Sequence, residues 1–272
     1  MNVKNILKEN NFIFKKAFGQ NFLTDENLLS SIVERSGINE NSTVLEIGVG
    51  AGTLTRAIAK KAKKVYGFEI DKNLKPVLDK TLEGQDNVEI IFQDVMKMKM
   101  PEIEEMLGGN YTLIANLPYY ITTPIIMRFI EEAERVDAIV ITIQKEVAER
   151  IVASETSNDY GSISVSINAV ADTKIIKYIN RDMFYPAPNV DSAVVKITMN
   201  RTKHDIKDIV KFKKLVKCAF SMRRKTLVNN LIKGYCLNRE QAETLLTNNG
   251  INVSVRGEDL SVLDFVNLSN AM

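Results

Sequence analysis

Through the first 200 residues, short apolar runs alternate with stretches of helical spacing. Runs at 43–47, 64–69, 88–92, 111–115 and 137–143 are rich in β-branched and aromatic residues and end at glycine or polar positions, the pattern of strands buried on both faces of a parallel sheet. Helical patterns at 53–62 and 145–153 follow the first and fifth of them. Further strands are expected at 163–170, 175–179 and 194–199. Between the last two, Tyr185 and Ala187 each precede a proline, so 182–191 reads as a stiffened, extended loop. Near the start, Thr24-Asp25-Glu26 predicts a capped helix running to about Ser36, closed by Gly37. Residues 1–14 show little pattern and read as a loosely held arm. From Lys203 the spacing becomes helical, over about 205–219, 223–234, 239–248 and 261–271, with Asn238 and Gln241 as a capped start and Gly250 as a stop. The chain thus divides into an α/β domain, 1–200, and a helical domain, 201–272.

Composition adds limits. With 272 residues, 45% of them apolar, the chain can bury a substantial core. No run approaches the ~20 apolar residues of a bilayer-spanning helix, and Met1 to Glu9 lacks the apolar centre of a secretory signal, so a cytoplasmic protein is expected. Cys218, Cys236 and the single histidine, His204, cannot by themselves form a metal cage or a disulfide framework, and no metal is expected. Residues 201–272 hold 13 Lys/Arg against 7 Asp/Glu, whereas 1–200 hold 23 against 27. That asymmetry fits contact with a polyanion, or a set of solvated basic helices.

The first chemical motif is the strand–turn–helix at 43–62. Glycines at 48, 50 and 52 allow positive φ and a close backbone approach to a ligand. Their spacing departs from the dinucleotide fingerprint G-x-G-x-x-G, because position 53 is Thr and Gly52 comes one residue early. Glu69 ends the second strand, where a carboxylate can take both ribose hydroxyls of an adenosine-containing cofactor. Asp71 follows it, and either acid could also be an ordinary strand-end or cap residue. Asp94, after the third strand, could accept from an adenine amino group. Three strands would deliver Gly48, Glu69 and Asp94 to one crevice.

The fourth strand ends at Asn116-Leu117-Pro118-Tyr119-Tyr120. Leu117 precedes proline and should be extended, with its carbonyl free of helix bonding. Thr122-Thr123-Pro124 reads as the start of the next helix, with Pro124 at its first position, leaving 116–121 as an ordered loop. An adenine amino nitrogen is a poor nucleophile, because its lone pair is delocalised into the ring. The Asn116 side-chain oxygen and the Leu117 carbonyl can hold its two hydrogens and favour a pyramidal nitrogen aimed at an electrophilic methyl. Tyr119 can stack on the base, worth ~1–3 kcal/mol in single-strand binders. Phe184 is either a second wall of that pocket or a core residue.

Together, Gln20-Asn21-Phe22-Leu23, Glu46-x-Gly48-x-Gly50-x-Gly52, Asn116-Leu117-Pro118-Tyr119 and Phe184-Tyr185-Pro186-x-Pro188-x-Val190-x-Ser192 resemble, in that order, motifs of the ribosomal RNA adenine dimethylases. The resemblance spans roughly 15–270. Within it, Gln144-Lys145-Glu146-Val147-Ala148-x-Arg150, Tyr160-Gly161 and Phe220-x-x-Arg223-Arg224-Lys225-Thr226-Leu227 look like the housekeeping small-subunit enzyme. Relatives that confer macrolide resistance on large-subunit RNA more typically read Asn-Ile-Pro-Tyr, so Leu117 favours the housekeeping branch. The family often has proline where Val49 stands, and Gly161-Ser162-Ile163-Ser164 is a loose match to Gly-Arg-Leu-Ser, which puts one RNA contact in doubt.

The resemblance implies a Rossmann-like class I S-adenosylmethionine-dependent methyltransferase sheet followed by a small all-helical RNA-binding domain. The donor would leave as S-adenosylhomocysteine. Its methionyl end would lie near Gln20, Asn21, Leu23, Glu46 and the glycines 48, 50 and 52, its ribose on Glu69 beside Ile70, and its adenine at Asp94 and Val95, with Asn116 touching donor and base alike. The base would meet Asn116, Leu117, Pro118, Tyr119 and Phe184. Arg223, Arg224 and Lys225 would bind RNA, since cations at a helix start oppose its dipole and are not explained by local stability. The implied substrate is two adjacent adenines in the 3′-terminal hairpin loop of small-subunit (16S) rRNA, each dimethylated at N6, within a pre-30S or 30S particle, by a monomer. Competing readings are a large-subunit (23S) rRNA methyltransferase, a non-catalytic assembly factor, a small-molecule methyltransferase, which leaves the basic tail unexplained, and a nicotinamide-dependent oxidoreductase, which the glycine spacing opposes.

Overall fold

The structure, a computed structural model, describes residues 3–10, 12–14 and 19–272. Positions 1, 2, 11 and 15–18, which include the start of the expected arm and the Lys15-Lys16-Ala17-Phe18 lead into the first motif, lie outside the described residues. The chain forms two compact units, one of residues 1–148 and 174–199 and the other of 149–173 and 200–272.

The first unit is built on strands β1 (Phe22–Leu23), β2 (Thr43–Ile47), β3 (Lys64–Phe68), β4 (Val88–Ile91), β5 (Tyr111–Asn116), β6 (Val136–Gln144), β7 (Ala171–Ile179, in this unit from Lys174), β8 (Phe184–Tyr185) and β9 (Ser192–Met199). Seven of them form one sheet in the order β4-β3-β2-β5-β6-β9-β7. The pairs β2–β3, β3–β4, β2–β5 and β5–β6 are parallel, and β9 runs antiparallel to β6. From β2 the chain winds outward through β3 to β4 and then crosses back to β5. The sheet therefore reverses direction between β2 and β5, and a crevice opens there at the strands' carboxyl ends. Central strands β5 and β6 are apolar on both faces because helices cover both. Helix Thr53–Ala59 buries Leu54, Ile58 and Ala59 in a cluster with Val44, Val65, Ile114 and Val140. A fully buried Leu or Ile of this kind contributes about 1.5–3 kcal/mol. β1 and β8 pair separately and antiparallel, Phe22 opposite Tyr185 and Leu23 opposite Phe184.

Several boundaries differ from expectation, each for a local reason. Asp25, not Thr24, caps the first long helix, Glu26–Ser36, by accepting from the Leu28 amide at 2.8 Å, and Gly37 closes it with φ of 85°. Part of the supposed arm is a helix, Val3–Glu9. It buries Val3 and Leu7, one turn apart, in a cluster with Phe22, Val49 and Leu74. The helix after β5 begins at Tyr119 rather than at Pro124, with Pro118 as its cap. Pro124 lies inside it and withholds the N–H that would bond the Tyr120 carbonyl. The expected strand at 163–170 is instead helix Ser162–Asn168. Ile163, Val165 and Ile167 alternate like a strand, but the Ser164 hydroxyl donates to the Arg150 carbonyl and the Asn168 amide to the Ile151 carbonyl, and these side-chain bonds hold a helical face.

That helix also corrects the domain boundary. The second unit resumes at Asn200, close to the expected 201, but it takes in 149–173 as well. Tyr160 and Val165 share a core with Phe212, Leu215, Leu227, Leu246 and Phe265, so the segment packs with the C-terminal helices. Those helices are Ile209–Ala219, Leu227–Tyr235, Arg239–Asn248 and Val262–Asn270. Asp208 caps the first, which begins four residues later than the expected start at 205. The capping box of Asn238 and Gln241 is present. Among the described residues no helix is long and apolar enough to cross a membrane.

Candidate active site

A cavity of about 220 Å³ occupies the crevice at the carboxyl ends of β2 to β5. Fifteen of the sixteen α/β-domain residues picked out from the sequence line it: Gln20, Asn21 and Leu23; Glu46, Gly48 and Gly50; Glu69, Ile70, Asp94 and Val95; and Asn116, Leu117, Pro118, Tyr119 and Phe184. The exception is Gly52. It caps helix Thr53–Ala59 with φ of 79°, and a Cβ there would meet Leu78, not the cavity.

The floor is the glycine turn. Gly48 and Gly50 have φ of 73° and 59°, which an L side chain adopts only at a cost of about 1–2 kcal/mol. Both are also crowded. A Cβ on Gly48 would come within 2.8 Å of Leu117 Cδ2, and one on Gly50 within 2.8 Å of Phe22 Cε1. The turn is thus pressed between the segment before β2 and the loop after β5. Its orientation comes from Glu69, whose Oε2 accepts from the Gly50 amide while Oε1 accepts from the Ile70 and Asp71 amides, each at 2.8 Å. Burial raises the Glu69 pKa. The three amide bonds oppose that shift, and the Asp71 charge adds to it. Three bonds leave one of the roughly four lone-pair sites of a carboxylate open. Asp71 caps the turn Lys72–Leu74, its Oδ1 accepting from the Asn73 amide at 3.2 Å.

Glu46, on β2 beneath the turn, is 1% exposed. Burial raises its pKa to about 8, with the Glu69 charge adding and the nearby Thr55 hydroxyl opposing. Its buried Oε2 has no hydrogen-bond partner, which suits a neutral carboxyl better than an ionised one. Asp94 caps the turn Val95–Lys97 through the Met96 amide at 3.0 Å. Arg128 holds that turn by donating to the carbonyls of Val95, at 2.8 Å, and Met98. Ile70, 49% exposed, and buried Val95 both line the cavity with apolar surface.

On the other side, the Asn116 side-chain nitrogen donates to the Asn21 carbonyl at 3.0 Å. Leu117 is buried, and no described donor bonds its carbonyl. Tyr119 opens the following helix, and its hydroxyl sits 2.7 Å from that of Ser192. Burial raises its pKa, the Ser192 bond opposes, and the Asp191 charge adds, so the phenol stays neutral. Phe184 lines the cavity and also belongs to a core cluster with Leu23 and Val194. Gln20 donates to Asp71 Oδ2 at 3.3 Å, and the Leu23 carbonyl accepts from Thr53 Oγ1 at 2.7 Å. These two bonds tie the 19–23 segment across the turn.

Arg223, Arg224 and Lys225 belong to the second unit. They precede the helix instead of starting it: Thr226 is the cap and the helix runs Leu227–Tyr235. Arg223 does have a local structural role, pairing with Glu258 at 3.3 Å and donating to the Asn158 carbonyl at 2.7 Å. Arg224 and Lys225 are exposed. The sequence reading gave no role to Phe22, Tyr120 or Ser192. All three stand inside the quoted motifs, and that placement was the available signal.

A parallel sheet with this strand order, an acid-x-Gly-x-Gly-x-Gly turn at its switch point and an acid at the end of the next strand defines a Rossmann-like class I S-adenosylmethionine-dependent methyltransferase. The chain belongs to the ribosomal RNA adenine dimethylases, which it matches over residues 11–272. It is 42% identical over 270 residues to ribosomal RNA small subunit methyltransferase A of Clostridioides difficile strain 630, covering 98% of this chain and 93% of the relative. The protein of the same name from Bacillus licheniformis is 42% identical over 276 residues, 99% of this chain and 94% of the relative. A dimethyladenosine transferase from Plasmodium falciparum superposes with a TM-score of 0.78 at 26% identity, over 91% of this chain and 95% of that one. The 23S rRNA methyltransferase ErmE, 22% identical, shares the fold with a TM-score of 0.70 over 92% of this chain and 99% of that one.

Proposed function

We propose that this enzyme transfers methyl groups from S-adenosylmethionine to the N6 amino groups of adenines in small-subunit rRNA, giving N6,N6-dimethyladenosine. The acceptors would be two adjacent adenines in the 3′-terminal hairpin loop, met within a pre-30S or 30S particle in the cytoplasm by a monomeric enzyme. The observation that carries the reading is the Asn116 amide, held by the Asn21 carbonyl in the same cavity as the glycine turn and Glu69. The names of the 42% identical relatives support the small subunit as the target.

When bound, the donor supplies an electrophilic methyl on a sulfonium. In this reading Glu69 takes a ribose hydroxyl on its one open lone-pair site, and Ile70, Asp94 and Val95 frame the adenine. Gln20, Asn21, Leu23, Glu46, Gly48 and Gly50 surround the methionyl end. Gly52 serves indirectly, by starting the helix behind the turn. Asn116 Oδ1 and the Leu117 carbonyl hold the two amino hydrogens of the target, and Pro118 stiffens the loop that presents them. Tyr119 and Phe184 bracket the base. The amino proton leaves after transfer, when the nitrogen has become acidic, so positioning and charge stabilisation suffice. A base in an RNA loop reaches such a pocket at lower cost than one in a duplex. Arg223, Arg224 and Lys225, on the second unit, contact phosphates.

Incubation with labelled S-adenosylmethionine and unmodified small subunits, alongside large-subunit RNA, followed by mapping of the modified base, tests the reading. Label at adenine N6 near the 3′ end of the small-subunit RNA is the expected result. Label confined to large-subunit RNA would move the protein to the resistance branch, and tight particle binding without label would make it an assembly factor.

A further inference from the structure

We propose that Ser192 is a positioning residue for methyl transfer, acting through a hydroxyl–hydroxyl bond that fixes the ring of Tyr119. The proposal rests on the reading that Tyr119 stacks on the target base.

The geometry separates this serine from an ordinary strand residue. Ser192 is 0% exposed and does not line the cavity, yet its Oγ lies 2.7 Å from the Tyr119 hydroxyl. A tyrosine ring turns about two bonds, and a partner at the para oxygen restricts both. For that to place the ring, the two backbones must themselves be fixed. Ser192 begins β9 opposite Gln144 of β6. Its neighbour Asp191 is held twice, its carbonyl accepting from the Lys145 amide and its carboxylate from the Arg181 amide, each at 3.0 Å. At the other end, Pro118 fixes the residue before Tyr119, and the Tyr119 carbonyl accepts from Thr122 Oγ1 at 2.9 Å. The ring is thus suspended between β9 and the loop after β5. Tyr120 provides an internal contrast: it shares the same turn, is 64% exposed, and has no described partner for its hydroxyl. Two tyrosines thus stand at one cavity, one anchored and one without a hydroxyl partner among the described residues. A stacking platform that must present a base nitrogen in line with a methyl needs the anchored kind, because misplacement of about 1 Å can cost ~100-fold in rate.

The test is a double-mutant cycle on kcat/KM for RNA with Ser192→Ala, Tyr119→Phe and the double variant, together with the donor Kd. Each single change should lower kcat/KM by about five- to ten-fold, the weight of one neutral hydrogen bond, and leave donor Kd unchanged. The double variant should be no worse than either single one, because both remove the same bond. Tyr119→Phe keeps the cycle informative if Ser192→Ala folds poorly, since it breaks the bond from the cavity side. Wild-type kcat/KM in Ser192→Ala, or multiplicative losses in the double variant, would overturn the proposal. Tyr119→Ala separates the two levels. If it retains full turnover, the stacking reading falls and takes the proposal with it. If it abolishes turnover while Ser192→Ala has none of the expected loss, only the positioning role of Ser192 is lost.

Discussion

The side-chain nitrogen of Asn116 donates to the backbone carbonyl of Asn21 across 3.0 Å. A carbonyl can only accept, so this one bond decides which way the amide is turned and leaves Oδ1 as the unused acceptor of a cavity-lining side chain. It also joins two segments 95 residues apart in sequence, one beside the proposed donor site and one beside the proposed base. Asn116→Ala removes the acceptor, and Asn116→Asp turns an attraction to the Asn21 carbonyl into a repulsion. Both should lower methylation by at least ~100-fold, the scale of losing one preorganised polar contact to a reacting group. Donor Kd, measured by calorimetry, should change much less. Normal turnover by Asn116→Ala would sink the assignment.

Leu117 links the same loop to the glycine turn through sterics alone. Its Cδ2 occupies the place that a Cβ on Gly48 would need, at 2.8 Å. Gly48→Ala should therefore suffer twice, from the φ of 73° and from the collision. Leu117→Ala costs about 2–5 kcal/mol by itself, because the side chain is buried. In that background Gly48→Ala should cost less than in the wild type, about 1–2 kcal/mol from the backbone alone. Chemical denaturation of the two single variants and the double variant measures this. If the double variant is destabilised by the full sum of the single effects, the contact is not what excludes a side chain at position 48.

The parts of the site legible from the sequence were those set by local rules. Strand β2 is legible with its observed bounds, because a buried strand, a glycine turn and a helix follow one another without interruption. The parts that were missed depend on distant partners. Ser162–Asn168 has strand-like alternation and becomes helical because Arg150 and Ile151 offer carbonyls to Ser164 and Asn168. Pro124 is a plausible helix start in isolation, yet the helix begins five residues earlier at Tyr119, behind Pro118 as its cap. Gly52 matched a ligand motif, yet its surroundings are Leu78 and Thr81. Arg223 looked unexplained by its own helix, and its partner, Glu258, lies 35 residues on.

Glu46 should leave a signature in the pH dependence of stability. Burial raises its folded pKa from 4.5 to about 8, so between those values the folded chain keeps a proton that the unfolded chain has released. Stability from this group is therefore greatest at or below about pH 4.5, falls as pH rises through the window, and is level above about pH 8. Glu46→Gln has nearly the same shape and does not titrate. The melting temperature of the wild type relative to Glu46→Gln should fall from pH 5 to pH 8, and the difference should flatten beyond. A constant difference across that range would mean that Glu46 is ionised in the fold despite its burial.

Arg224 and Lys225 can be separated from Arg223 by what each does in the second unit. Arg223 is bonded to Glu258 and to the Asn158 carbonyl, so Arg223→Ala should lower the stability of its own unit as well as any affinity for RNA. Arg224 and Lys225 are exposed, and their replacement should leave the melting temperature within about 0.5 kcal/mol equivalent of wild type. If each neutralises one phosphate, the pair Arg224→Ala/Lys225→Ala should reduce the slope of log K against log salt by about 1.4–1.8, between the single-strand and duplex limits. Because phosphate contacts carry no sequence information, affinity should fall by a similar factor for specific and unrelated RNA. Filter binding at several salt concentrations reads both quantities. An unchanged slope would remove these two cations from the RNA interface and leave the basic excess of the C-terminal helices as solvated charge.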